Sequence, residues 1–400
     1  MPKRILGIVY LNENGALTLA TQDYCRVFQA MGYESETIDL TQTADRGKLG
    51  ELLQSGETIF CFGMQGVGSH LKLGEENLWT RIKTPFIALH FDNPCYNPLN
   101  HTGDDSPYVA NLYHFESFLQ IQRRYIGSRS PSGLLPFEIP LPVPEPQLPF
   151  AKRPIKFLYM KTGAPLEPML EEFPKMPPIL EEGAREILKQ TENDPNLLIC
   201  DVVRDLFIRS KFEHLVCKAQ FWAVVQVLDL YIRRKRAIDF VEWLKFQEGA
   251  VIIGGGWDFI DRTGARAEFR PPIPMHQSFP LYEQTQFVCN ASPYSSDMIH
   301  ERVVAGLAMG SCVLSDTNSW WDKNFSDVPA LTRLYWNRPL DDQLDIVRRP
   351  ELAAEASLTG RAPALQHFWN RQNFERIISC AEQVRNNAPA AIAQMQQARA

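Results

Sequence analysis

The segment from Gln286 to Asp316 most constrains what this chain can fold into. Gln286-Phe-Val-Cys-Asn-Ala291 is a short apolar run, followed by a polar turn at Ser292-Pro-Tyr-Ser-Ser296. From His300 a second apolar stretch carries Val303, Val304, Leu307 and Met309 beside Ala305, Gly306 and Ala308, and Gly310 closes it. Cys312 to Leu314 is apolar again, and Asp316 ends the segment. This order predicts strand, loop, helix, glycine stop and strand. The hydroxyls of Ser295 and Ser296 and the carboxylate of Asp297 suit the free N–H groups of a first helical turn. The small residues let the helix lie close against a sheet. Open α/β sheets bind phosphates and nucleotides where a polar loop feeds a helix N-terminus at the carboxyl end of a parallel strand. A βαβ unit without a ligand has the same pattern.

The amino terminus repeats the theme. Arg4 to Leu11 is continuously apolar, as a buried parallel strand is, then come a loop at Asn12-Glu-Asn-Gly-Ala16, an amphipathic helix from Thr21 to Met31, Gly32, and a strand from Glu34 to Leu40. Further on, Gly63-Met-Gln-Gly-Val-Gly68 follows a strand, without the spacing of a dinucleotide fingerprint or a P-loop. The strand Pro85–Leu89 runs into His90-Phe-Asp92-Asn93-Pro94. Titratable groups at a strand's carboxyl end lie where such sheets bind ligands, and residues two apart share a side of extended chain. Asp92 is therefore a candidate base for an acceptor hydroxyl, directly or by orienting His90. The competing reading is a turn capped by Asp92 and Asn93 before Pro94.

Four hundred residues predict two domains. Pro140, Pro142, Pro144, Pro146 and Pro149 mark a stiff connector, placing one domain at 1–150 and the next at 151–365, with 366–400 as a C-terminal helical segment. In the second domain, Ile155–Met160 predicts the first strand and about 165–247 a helical insertion. The charge run Arg233-Arg-Lys-Arg236 predicts a solvated helix face more readily than contact with an acidic membrane surface or acceptor. The strand Ala250–Ile253 ends in Gly254-Gly255-Gly256-Trp257, where missing side chains let a ligand meet backbone and the indole offers a stacking face.

Net charge of −6 argues against nucleic acid as the main partner. Eight scattered cysteines without a C-x-x-C pair suit reduced thiols in a cytoplasm better than disulfides or zinc. The start of the sequence does not read as a signal peptide, and Leu215–Ile232 is broken by Lys218, Gln220, Gln226 and Asp229, so at most a peripheral membrane contact is expected.

With these residues in view, the segment 286–316 resembles the C-terminal motif of GT-B glycosyltransferases, in particular the bacterial "glycosyl transferases group 1" and CgeB-like branch. Arg302, Gly310 and Asp316 match that motif over about thirty residues, and a Gly…Trp resembling Gly254–Trp257 is a second match. The wider retaining group carries two glutamates eight positions apart; aligned on Gly310, those places hold Asp297 and Ala305, with Glu301 one turn earlier as a substitute. The resemblance implies an α/β fold of GT-B type: two Rossmann-like domains facing across a cleft, with a helical insertion in the second and a C-terminal helix packing back on the first. It implies that Asn12, Asn14 and Gly15 face the acceptor side. It also implies that Lys161 lies near donor phosphates, with Ser295, Ser296, His300 and Arg302 at the helix start. Glu301 would contact the ribose, Tyr282 the base and Asp297 the sugar.

The activity implied is metal-independent transfer from a nucleotide-sugar (UDP, GDP or dTDP) to a glycan, protein or lipid, with the nucleotide-sugar as substrate and no separate cofactor. No D-x-D triplet offers to hold a metal diphosphate. The helix dipole and Arg302 would take that place. A nucleotide-sugar epimerase and, given Ala305, a catalytically degenerate scaffold or nucleotide-sugar sensor are the alternatives.

Overall fold

The structure, a computed structural model, describes all residues except 1–2, 11–14, 102–105, 140–142, 275–276, 293–294, 370–371 and 398–400. The chain divides into two compact units: Met1–Leu141 with Asn370–Ala400, and Pro142–Trp369.

Unit 1 runs β1 (Arg4–Val9), α1 (Ala16–Ala30), β2 (Glu34–Asp39), α2 (Thr43–Gln54) and β3 (Thr58–Met64). A small hairpin, β4 (Lys72–Leu73) and β5 (Glu76–Asn77), leads to α3 (Leu78–Ile82), β6 (Phe86–His90), β7 (Val109–Tyr113), α4 (Glu116–Ile121) and β8 (Ser132–Leu134). The larger sheet is parallel in the order β2-β1-β3-β6-β7-β8. Its strands read as continuous apolar runs because both faces are covered. Ile5, Phe60, Phe62, Ile87 and Leu89 pack with Tyr24 and Phe28 of α1, while Leu6, Ile8, Cys61, Phe86 and Ala88 pack with Leu49 and Trp79. The passage 101–126, which reads as mixed short elements, contains β7. Asn111 interrupts its apolar run, and that side chain is fully buried against His90.

Unit 2 runs β9 (Ile155–Met160), α5 (Glu167–Leu170), α6 (Pro178–Asn193), α7 (Ile199–Arg209), α8 (Ala219–Leu244), β10 (Ala250–Ile253), β11 (Glu268–Arg270) and α9 (Ser278–Glu283). It continues with β12 (Thr285–Asn290), α10 (Glu301–Ala308), β13 (Cys312–Asp316), α11 (Ser319–Asn324), β14 (Leu331–Leu334) and α12 (Pro350–Phe368). The final helix, α13 (Gln372–Gln397), belongs to unit 1, where Phe374, Ile377, Ala381 and Val384 join the α1 face of the core. The long helix of the insertion starts at Ala219 rather than Phe212, because Cys217 at φ 66 breaks the chain direction just before it.

The unit 2 sheet is parallel in the order β11-β10-β9-β12-β13-β14, which is the 3-2-1-4-5-6 order of a dinucleotide-binding sheet. Its strand direction of travel reverses between β9 and β12, so the carboxyl ends of those two strands form the switch point. Helix α10 lies directly on the sheet: a Cβ built on Gly306 would come within 3.0 Å of Val313 and 3.1 Å of Val288. Arg153, 6% exposed, fixes its far end by donating to Met309 O at 3.0 Å and to Thr285 O at 2.9 Å. Among the described residues, no helix is long and apolar enough to cross a membrane.

Replacing Gly306 with Val pushes two branched carbons into that contact. The expected cost is about 1–3 kcal/mol, read as a lower urea midpoint with an unchanged slope.

Candidate functional site

At the switch point of unit 2, Lys161 follows β9 and reaches across to β12, its ammonium donating to Ala291 O at 2.9 Å. The loop that leaves β12 is fixed at its first residues by Asp316, at the end of β13. Both carboxylate oxygens accept from the Ser292 N–H, at 2.9 and 3.1 Å. Arg236, on α8, pairs with the same carboxylate at 3.3 Å, both side chains being buried. The charge run on α8 is therefore solvated only in part. Arg236 turns into the protein, Arg234 donates to Pro165 O at 2.8 Å, and Lys235 pairs with Asp239.

At the start of α10, Arg302 is 8% exposed and its guanidinium donates to Met160 O, the last carbonyl of β9. His300 precedes the helix. Its closest contacts assign the neutral ring: Nδ1–H donates to Glu301 Oε2 at 2.9 Å, and Nε2 accepts from the Arg302 guanidinium at 2.5 Å. Burial, with the Arg302 charge beside it, lowers the His300 pKa to about 4. At Glu301, burial works to raise the pKa. That side chain keeps 44% of its surface in solvent, so His300 and Arg302 outweigh burial and bring it down to about 2.

These positions concentrate positive charge. Lys161 has its pKa lowered well below the ordinary lysine value, by burial first and then by Arg302, Arg233 and Arg236, with Asp316 acting in the opposite sense. Lys161 and Arg302 stand at the end of α10 where the helix dipole is itself positive, which disfavours cations. Like charges gathered there are eased by an anion. Arg233 and Arg236 escape sequence reading because a charge run on a helix gives no sign of which members turn inward.

The remaining expected residues fall into two groups. Ser295 donates to Asp297 Oδ1 at 3.0 Å, and Ser296 O accepts from Ser319 Oγ at 2.8 Å, so this loop braces itself beside the helix start while Ser296 and Asp297 stay half-buried. Gly255 is also partly open, its nearest neighbour to a built Cβ being Pro272 at 4.0 Å. By contrast, Gly254 and Gly256 serve the chain's own packing: a Cβ would meet Lys161 O at 2.1 Å and Gly163 O at 2.4 Å, respectively. Trp257 offers no stacking face. It is 2% exposed and spends its indole N–H on Lys161 O at 2.8 Å. Tyr282 is likewise core, 3% exposed, with its phenol pKa raised by burial. Ala305 lies inside the helix contact at 3% exposure.

In unit 1, Gly15 caps α1 at φ 64, while Asn12 and Asn14 lie outside the described residues. His90 is fully buried at the end of β6, its Nε2 2.9 Å from Asn111 Oδ1 and its ring stacked on His101 at 4.1 Å. A side chain sealed in this way cannot meet an acceptor, so His90 leaves the list of bases. Burial lowers its pKa to about 4, against the Asn111 hydrogen bond, and does the same at His114. Asp92 is exposed and accepts from Gln65 Nε2 at 2.9 Å, whereas Asn93 makes the turn, its Oδ1 accepting from Cys95 N at 3.1 Å. Among the described residues, no group of three or more His, Cys, Asp and Glu side chains is placed to hold a metal ion.

The two sheets are those of the GT-B class, two Rossmann-like units in one chain. No family model matches the sequence, and no curated protein does. Solved structures match in fold across nearly the whole chain. An α-glucosyltransferase in complex with UDP-glucose and DNA containing an abasic site superposes with a TM-score of 0.56 at 8% identity, covering 96% of this chain and 100% of that one. HepE from Anabaena, in complex with UDP and glucose, gives 0.54 at 11% identity over 95% and 100%. AviGT4, a glycosyltransferase of avilamycin A biosynthesis, gives 0.52 at 12% identity over 96% and 99%.

Two outcomes are expected. Arg236→Met strands the buried Asp316 charge and costs about 3–5 kcal/mol, whereas a double change of Arg236→Met with Asp316→Leu recovers much of the urea midpoint. The second concerns pH. His90, His101 and His114 have folded pKa values below the unfolded value, so the unfolded chain binds more protons. Their contribution is complete above about pH 6.5 and is lost as the pH falls toward about 4. Urea midpoints should therefore drop between pH 7 and pH 5, and less steeply in His114→Gln.

Proposed function

We propose that the protein transfers a sugar from a nucleoside-diphosphate sugar to the hydroxyl of a glycan, protein or lipid, without a metal ion. The observation that carries this reading is the gathering of Lys161, Arg233, Arg236 and Arg302 at the 3-2-1-4-5-6 switch point beside the start of α10. The GT-B fold and its nucleotide-sugar-binding structural neighbours support it. Membership of the CgeB-like branch rests on Arg302, Gly310 and Asp316.

In the reaction proposed, the acceptor oxygen bonds to the anomeric carbon while the bond from that carbon to the β-phosphate oxygen breaks. Negative charge builds on the departing diphosphate, and Lys161, Arg302 and the positive end of the α10 dipole stabilise it there. Asp92 takes the acceptor proton. Asp297 contacts the sugar, and Glu301, exposed at the first turn, contacts the ribose. Such donors are cytoplasmic metabolites, and the cytoplasm is the compartment we assign. Ala305, where the wider retaining group has glutamate, favours a second reading in which the site binds the nucleotide-sugar without turning it over.

Thermal unfolding with UDP-, GDP- and dTDP-glucose tests the reading. At about one hundred times its Kd, the preferred nucleotide-sugar should add about 2.7 kcal/mol of stability and raise Tm. The shift should be lost in Lys161→Met and in Arg302→Met. Donor hydrolysis in Arg302→Met should fall by about a hundredfold. A shift without turnover selects the binding-only reading, and no shift with any of the three sinks both.

A further inference from the structure

Gln65 is a glutamine where a glycine would be expected. It follows β3 with φ 54, in the left-handed region that side chains avoid, and glycines stand at 63, 66 and 68 around it. Strain of this kind persists only where the surroundings hold it, and here they hold every polar group the residue has. Its N–H donates to Leu89 O at 2.6 Å, and its carbonyl accepts from Asn100 Nδ2 at 2.9 Å. The side-chain amide then spans the turn after β6: Oε1 accepts from Phe91 N at 3.3 Å, and Nε2 donates to Asp92 Oδ2 at 2.9 Å.

The Phe91 contact settles which way the amide faces. A backbone N–H only donates, so the oxygen must turn toward it, and the NH2 group must turn toward Asp92. A glutamine in that orientation gives the carboxylate a fixed direction and favours its charged form, since the bond exists only to an accepting oxygen. The fixed direction is what a proton acceptor needs. Plain turn-making would be met by a glycine at this position, with less strain and no side chain.

We propose that Gln65 is the positioning residue for Asp92, holding its carboxylate in one direction for the acceptor's proton. This rests on the reading of Asp92 as the base. The left-handed backbone is what brings the amide to bear: at this point of the loop it sends the side chain back over the end of β6, where Phe91 and Asp92 lie.

The test uses the full chain, the nucleotide-sugar giving the largest thermal shift, and water as the acceptor. Gln65→Gly keeps the backbone conformation and removes the amide; Gln65→Glu sets a second carboxylate against Asp92. In both, kcat for donor hydrolysis should fall about tenfold while KM for the donor stays within about twofold. The acid limb of the pH–rate profile should move up by about one unit, further in Gln65→Glu. Carbon-13 carboxyl titration of Asp92, identified by its loss in Asp92→Asn, should show the same movement without any turnover. An unmoved Asp92 titration in both variants overturns the positioning role, whatever happens to the rate. Full hydrolysis in Asp92→Asn removes the base reading, and with it this proposal, even if the titration moves.

Discussion

Helix α10 is held at both ends by arginines, and the arrangement of unit 2 follows from that. Arg153 and Arg361 donate to its last carbonyls, at Met309 and Ala308, where cations are favoured. Arg302 stands at the opposite end, where they are not, and is tied to the final carbonyl of β9. A short helix with so little side-chain bulk, packed through Gly306 onto two strands, has little freedom to tilt. Its first turn is therefore aimed at one place, the carboxyl ends of β9 and β12. Asp316 completes the arrangement by holding the incoming loop through Ser292 and the insertion helix through Arg236. Burying that ion pair contributes little to net stability, whereas breaking it by removing one partner is costly.

The frame of this site was legible in the amino-acid order. Apolar runs bounded by Gly310 and the polar turn at 292–296 sufficed to place β12, α10 and β13, because strand and helix periods are local properties. What escaped was the direction of individual side chains. Trp257 and Tyr282 carry rings that read equally well as a binding face or as core, and only the neighbouring loop, through Lys161 O and Gly163, shows that Trp257 is core. Gly254 and Gly256 were open to the same ambiguity: glycine permits close approach without saying whose backbone approaches. The α8 arginines went astray for a related reason. A helix spanning Ala219–Leu244 can turn a charged residue inward only when a partner waits there, and Asp316 lies eighty residues further on.

Unit 1 shows the opposite case, in which a polar cluster looks chemical and is structural. His90 and His101 stack face to face, Tyr113 bonds to His101 at 2.8 Å, and Asn111 reaches His90. Proximity in sequence put His90 and Asp92 together as candidates, yet they part at the end of β6, one sealed and one exposed. The residue that meets Asp92 comes from β3's loop, twenty-seven positions away, and the left-handed backbone that enables it has no signature in composition.

The course of the chain bears on how it is made. Unit 1 is interrupted: residues of unit 2 separate its sheet from α13, which supplies Phe374 and Ile377, both at most 1% exposed, to the core beside Phe28 and Phe62. During translation, the six β-strands of the first sheet emerge with α1 on one face but without the α13 side chains that complete it, and the whole of the second unit is synthesised before they arrive. Unit 2 is continuous and can close as soon as it leaves the ribosome. The nascent amino-terminal part therefore spends more than two hundred codons with the Phe28–Phe62 side of its core one helix short.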